Sequence, residues 1–401
     1  MSPIVSAQET FPRNGVYDER PEWVAFINAT VHTDYQTQFD KAILVIRRGK
    51  VENIGTGIKI PEGAIVMDVQ GKHIYPGFVD IYTDYGLPNV INSNLSYLSP
   101  PQPDSKKNGP YSWNESIRPE TNAAELIRVD DKKAEEYRKL GFGAVVAIHK
   151  DGIARGTSAL VNLAKKRENE VLLLERAAAN YSLEKGSSTQ DYPFSQMGAI
   201  ALLRQTYLDA LWNNQSPDRE QNLSLKAFTE TQKLPQVFEI NNKLEALRVD
   251  KVGDEFGIQY IIKGKGDEYQ LLDEIKQTKA PLIVSLNFPD ALNVEDPFDA
   301  QRVSLNQLKH WEMAPANPAL LVKAGITMAL SAADLIDKNK FLPNLKKAIH
   351  YGLDEQEALK ALTYTPARLI KAEHLVGSLK IGMLANFIIT SKPLFNDESV
   401  I

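Results

Sequence analysis

The chain of 401 residues has no cysteine, only six histidines, and no apolar run approaching the ~18 residues a membrane span requires. Without cysteine, disulfides, thiolate zinc sites and thiol nucleophiles are excluded together. Any metal would have to be held by histidine and carboxylates. Charge of one sign is also lacking, because 46 Lys plus Arg stand against 51 Asp plus Glu, a net of −5. A nucleic-acid partner would call for a basic face that displaces phosphate counterions, and none is visible. What is present is the composition of a globular protein, 43% hydrophobic and 24% charged, which rules out disorder and collagen-like structure. The length suits two or three domains of ~150 residues, or one barrel of ~250 residues with additions.

Residues 1–22 read as a flexible N-terminal segment. Met1 to Gln8 is too short for the apolar part of a signal peptide, yet Val5-Ser6-Ala7 has the small-residue character of a cleavage site. Export and a cytoplasmic location both stay open.

From Trp23 to Val69 short alternating strands are separated by turn residues: Val24 to Val31, Ala42 to Arg47, Lys50 to Ile54 and Ala64 to Val69. After Gly71 the rhythm changes. Apolar runs at Ile74 to Ile81, Phe142 to Ile148, Val171 to Ala177, Gln236 to Ile240, Gln259 to Ile262, Leu282 to Leu286 and Thr327 to Leu330 read as strands buried on both faces. Helical stretches such as Asp130 to Leu140, Met197 to Trp212, Lys243 to Phe256, Tyr269 to Thr278 and Pro343 to Tyr351 lie between them. Such alternation implies parallel strands with helical crossovers, and seven or eight units suit a closed barrel. One further strand, Ala385 to Thr390, returns to the style of the N-terminal unit. The segment from Leu87 to Asn122, rich in Pro, Ser and Asn, is the longest irregular stretch, of the kind that is usually functional or mobile.

Two Gly-rich stretches, Asp151 to Ser158 and Lys185 to Pro193, follow strands and place backbone N–H groups near Arg155 and Lys185. They suit an anionic ligand, and equally an ordinary capped turn ahead of a helix. Among the histidines, His32 and His73 fall in the β unit and its approach to the barrel, His350 and His374 at a helix end and a connector, and His310 on a loop. His149 alone ends a barrel strand where a ligand or general base could sit.

Three stretches resemble the amidohydrolase superfamily, in its imidazolonepropionase-like branch. Gly71-Lys-His-Ile-Tyr-Pro-Gly-Phe-Val-Asp80 is similar to the entry into the family's first strand, and Leu140-Gly-Phe-Gly-Ala-Val-Val146 to its second repeat. Thr365-Pro-Ala-Arg368, followed by Val376-Gly-Ser-Leu-Lys-Ile-Gly-Met-Leu-Ala-Asn-Phe-Ile388, is similar to its closing motif. The resemblance implies a TIM-like (β/α)8 barrel at 71–375, and a small composite β-sandwich formed by N- and C-terminal segments, 23–70 plus 376–401. It also implies metals at the C-terminal ends of the strands, held by His-x-His after strand one, single histidines after strands five and six, and an Asp after strand eight.

The sequence departs from that pattern at each ligand. The His-x-His position reads Tyr82-Thr83-Asp84, strand five offers Glu239, and strand six offers Ile262 or Lys263. At strand eight Ala333 holds the ligand position, with Asp334 one residue beyond. A one-residue displacement turns a side chain to the other face of a strand, so Asp334 would substitute only if the chain bulged. A zinc hydrolase needs about three protein ligands and an open position to bring bound water to a pKa of ~7. Tyr82 is a poor neutral ligand, and a cationic Lys263 repels a metal. No cofactor is expected beyond a weak site for Mg, Mn or Zn at Asp84 and Glu239.

The expected function is therefore a degenerate amidohydrolase-fold module, resembling the metal-less first half of a tandem bacterial protein, which supports an active amidohydrolase half or subunit. In that reading the chain ends near Ile401 just as a last sandwich strand would begin, and Asn386 replaces the family's Asp. Two other readings stand beside it. One is a divergent hydrolase of non-peptide C–N bonds, with Asp84 as base and Lys263 or His149 as electrophile, or even a glycoside hydrolase built on two carboxylates. The other is a module that binds a small ligand through Arg155 and Lys185.

Overall fold

The structure, a computed structural model, describes residues 22–91, 100–215 and 221–401. The reading of residues 1–21 lies outside them. Two sheets organise the chain. The first contains β1 (Trp23–His32), β2 (Gln38–Arg47), β3 (Lys50–Gly55), β4 (Ile65–Asp68) and β5 (His73–Pro76). The second contains β6 (Phe78–Thr83), β7 (Phe142–Ala147), β8 (Ala154–Asn162), β9 (Leu172–Ser182), β10 (Gln236–Glu239), β11 (Tyr260–Lys263), β12 (Leu282–Ser285) and β13 (Met328–Ser331), hydrogen-bonded in chain order. Near the C-terminus β14 (Phe387–Thr390) returns to the first sheet, antiparallel to β5. The result is the TIM-like barrel with a composite β unit that the two sequence rhythms imply.

Every residue of β6, β12 and β13 is buried, because one face fills the barrel and the other lies beneath helices. Those helices have local causes. Asn242 accepts from the backbone N–H groups of Leu244 and Glu245 to start Lys243–Phe256, and Gly257 ends it in the left-handed conformation. Asp130 likewise caps Asp131–Lys139. The two ends of the barrel sheet meet through a buried carboxylate. Asp80 of β6 accepts from the Ser331 hydroxyl at 2.6 Å and from the Ala332 N–H at 2.9 Å, just past β13.

Three expectations need correction. The run Ile74 to Ile81 is two strands, split where Gly77 donates its N–H to the Asn386 carbonyl at 2.8 Å. A Cβ at Gly77 would lie 3.3 Å from that backbone, so the sheets join here through a glycine. His310, expected on a loop, lies within the helix Leu305–Met313, with its ring stacked on Tyr269.

The third correction matters most for the site. Not every barrel strand is parallel, because β8 runs antiparallel to both β7 and β9. Its first residues read as a loop because they contain Gly156 with φ +79. That glycine serves close approach rather than a turn. A Cβ there would lie 2.0 Å from the Thr121 carbonyl oxygen, since the segment around 117–122 bridges Ala154 and Thr157 along the strand.

Candidate functional site

The C-terminal ends of the barrel strands converge on a cavity of 410 Å³ lined by Asp84, Ile148, Lys150, Arg155, Glu239 and Asp334, among others. A smaller chamber of 220 Å³ shares Asp84, Lys150 and Asp334 with it and adds Tyr82 and Lys338. Five of the residues singled out by sequence come together here or directly beneath: Tyr82, Asp84, Arg155, Glu239 and Asp334, with Lys263 buried under them.

Because β8 is a strand, it carries Arg155 into the barrel rather than onto a surface loop. Arg155 is 4% exposed. Its guanidinium donates to the Tyr82 hydroxyl at 3.0 Å, to Glu239 at 2.6 Å, to Ser182 at 2.9 Å and to the Gly152 carbonyl at 3.1 Å. Tyr82 is the last residue but one of β6, Ser182 ends β9 and Glu239 ends β10, so one side chain ties together three strand ends.

A second lattice lies opposite. Lys263 of β11, wholly buried, pairs with Asp334, and Lys265 reaches the same carboxylate at 3.2 Å and Glu239 at 4.0 Å. Asp334 enters the mouth because it adopts φ +63, three residues past the end of β13. The one-residue displacement from the family's ligand position is thus absorbed by a left-handed residue, a conformation Asp tolerates better than most. Ala333, at the ungapped position, offers its carbonyl to the Ser285 hydroxyl and its N–H to the Ser331 hydroxyl.

The ionisation states follow from these contacts. Burial alone would raise the Glu239 carboxyl, but Arg155, Lys150 and Lys263 outweigh it and hold the pKa at about 2. Burial would likewise raise Asp334, and Lys263 with Lys265 bring it below the ordinary carboxylate range. Lys263 is pulled below its usual value by burial, against the opposing field of Asp334. The Tyr82 hydroxyl is pushed far up by burial and by Glu239, so it stays a neutral phenol.

This donor set does not fit a divalent cation. Glu239 and Asp334 already face a guanidinium and two ammonium groups, and Lys150 adds positive charge over the Tyr82 ring at 4.7 Å. A metal would have to displace or neutralise these cations. Among the described residues no group of three or more His, Asp or Glu is placed to hold a metal ion. The weak Mg, Mn or Zn site expected at Asp84 and Glu239 therefore has one of its two carboxylates committed to Arg155.

Two sequence candidates lie apart from the cavity lining. His149 is half-buried, and burial lowers its pKa. Lys185 donates to the Gln190 carbonyl at 2.9 Å. The anion-cradle reading of the two Gly-rich stretches is answered from within the chain. Asp151 accepts from the Ser187 N–H at 2.7 Å and its hydroxyl at 2.8 Å, and pairs with Arg118. Sequence reasoning missed Lys150, Lys265, Lys338 and Glu184. The alternation Lys263-Gly264-Lys265 could have flagged Lys265, whereas nothing local separates Lys150 from a solvated lysine.

A barrel closed by a composite β unit, with its polar groups gathered at the C-terminal strand ends, is the architecture of metal-dependent barrel hydrolases. The amidohydrolase family model matches residues 290–400. An amidohydrolase from Thermotoga maritima MSB8 superposes with a TM-score of 0.72 at 22% identity, covering 94% of this chain and 96% of that one. A prolidase complexed with N-methylphosphonate-L-proline gives 0.54 at 13% identity, covering 94% of each chain. A dihydropyrimidinase from Brevibacillus agri NCHU1002 gives 0.52 at 11%, covering 92% and 86%. At these identities the likeness is one of fold. No curated protein matches the chain. The family match covers the last of the three sequence stretches, and the likeness in fold extends over the other two, which bears out the resemblance to the amidohydrolases at that level.

Proposed function

We propose that this chain is a catalytically degenerate amidohydrolase-fold module that supports an active amidohydrolase half or subunit. The observation that carries the reading is the double lattice at the positions where the resemblance calls for metal ligands. Arg155 with Glu239, and Lys263 and Lys265 with Asp334, supply internal cations against the carboxylates. Hydrolysis of a C–N bond in this family relies on metal-activated water, and none of these residues offers a substitute. Glu239, held at about 2, stays ionised and paired, so it neither donates a proton near neutral pH nor is free to accept one. Elemental analysis of freshly purified protein tests the reading. Less than one-tenth equivalent of zinc or manganese is expected, and a stoichiometric metal would sink it. The partner's role is tested by whether the native gene, or its neighbour, encodes a barrel carrying His-x-His. No helix among the described residues is long and apolar enough to cross a membrane.

The divergent-hydrolase reading keeps one supporting observation, that Asp84 and Glu239 line the same cavity. It loses its electrophiles. Lys263 has no exposed surface and His149 is not among the lining residues.

A further inference from the structure

The charges at the mouth do not all cancel one another. Arg155 is held by Glu239, Tyr82 and Ser182, Lys263 and Lys265 by Asp334, and Lys338 donates to the Ala332 carbonyl at 2.7 Å while lying in the field of Asp80 and Asp84. Two lining groups are left over. Lys150 has no ion pair or hydrogen bond among the described residues; it rests on the face of Tyr82 at 4.7 Å, within the field of Glu239 and Asp334. Asp84 has no side-chain hydrogen bond or ion pair among them either, and lines both chambers together with Lys150. Glu184 adds a further carboxylate to the lining, where the Asn241 amide meets it at 3.0 Å. The same lining includes the apolar side chains of Pro88, Val90 and Ile148.

One cation and one anion without a hydrogen-bonded partner among the described residues, together with apolar lining in one cavity, describe a dipolar ligand. We propose that the mouth binds a small zwitterion with an apolar body, of the size of an apolar α-amino acid, its carboxylate on Lys150 and its ammonium on Asp84, with Glu184 contributing. The cavity of 410 Å³ is large enough, within the range of about 300–1,000 Å³ that small-molecule sites occupy. Charge-assisted hydrogen bonds at both ends explain why a monopolar ligand would be disfavoured, since each would leave one of the two charges facing the apolar body of its neighbour. The proposal rests on the reading that the mouth is charge-compensated from within, because a metal there would claim Asp84.

Isothermal titration of the full chain at low salt tests it, using leucine, N-acetylleucine, leucinamide and isoamyl alcohol as probes. Leucine is expected to bind at least about tenfold more tightly than either monopolar analogue, a difference of about 1.4 kcal/mol. Lys150→Met should erase the preference for leucine over leucinamide, and Asp84→Asn the preference for leucine over N-acetylleucine. Circular dichroism on both variants confirms that they fold. Absence of leucine binding in the wild-type chain, equal binding of all four probes, or full leucine affinity in both variants would overturn the proposal. Metal analysis of the same preparation separates the two claims. Stoichiometric metal defeats the degenerate-module reading, whereas a metal-free chain that fails to discriminate the probes defeats the zwitterion site alone.

Discussion

Burial opposes charge in two clusters of titratable groups in this molecule, with opposite outcomes. At the barrel mouth, Glu239 and Asp334 are buried yet ionised, because each meets a cation within hydrogen-bond reach. In the first sheet, His32 and His73 lie side by side, Nε2 to Nδ1 at 3.5 Å, with the His32 ring stacked on Tyr75 at 4.0 Å. Here the neighbour is a like group. Burial, then His73, lowers His32 to about 4 against the opposing pull of Asp40, and burial lowers His73 as well. Charge inside this protein is thus kept where a partner of opposite sign is built in, and shed where it is not.

That contrast is broken most forcefully at Arg155. Arg155→Met leaves the largely buried Glu239 without a hydrogen-bonded cation, with Lys265 at 4.0 Å and Lys150 and Lys263 acting through their field alone, and removes the bonds joining three strand ends. A loss of about 3–5 kcal/mol is expected, the usual cost of stripping one partner from a buried pair. Urea unfolding measures it. A loss below about 1 kcal/mol would mean that the lattice is ornamental. Lys263→Met should cost less, about 1–3 kcal/mol, because Lys265 remains at 3.2 Å to hold Asp334. If the two variants were equally damaged, Lys265 could not be the reserve cation.

Acid separates the two clusters next. A histidine whose folded pKa lies below 6.5 takes up its proton first in the unfolded chain, so its stability contribution is full above 6.5 and fades as the pH falls toward about 4. Glu239, lowered from 4.5 to about 2, gives stability that is full above 4.5 and is lost as the pH drops through 2. Stability should therefore decline in two successive stages. His32→Gln should flatten the first by about 1 kcal/mol, discounted for the partial exposure of the ring, and leave the second unchanged. Unfolding free energy followed from pH 7 to pH 2.5 checks both stages, and a single acid transition in which His32→Gln changes nothing would contradict the contrast.

How much of this was legible in the sequence depends on whether the signal was local. Helix Lys243–Phe256 appears at the expected bounds because its start and stop, Asn242 and Gly257, are adjacent to its apolar stripe. The scaffold was legible for a second reason, since Pro-Gly and Gly-rich motifs mark close backbone approaches such as Gly77 against Asn386, where a Cβ would be crowded at 3.3 Å. The same logic misled at β8, where Gly156 looked like a turn although its role depends on Thr121, 35 positions away. Arg155 followed into the wrong setting, a loop cradle instead of a buried strut. Asp334 could be named as a candidate but not placed, because its entry into the mouth depends on a positive φ that no residue beside it announces.

The smallest expected effect lies on a helix and isolates burial from pairing. Asp250, in Lys243–Phe256, is partly buried and has Asp254 one turn further along, and these two causes raise its pKa to about 6. A carboxyl raised in the folded state acts opposite to Glu239: it costs stability as the pH climbs from 3.8 through 6, and costs nothing below 3.8. Asp250→Asn should therefore stabilise the chain by about 0.5 kcal/mol at pH 7.5, the scale of a relieved like-charge pair on a helix, and by nothing at pH 3.5. Paired unfolding curves at the two pH values measure the difference. A gain of the same size at both would assign the effect to packing or helix propensity rather than to the ionisation of Asp250.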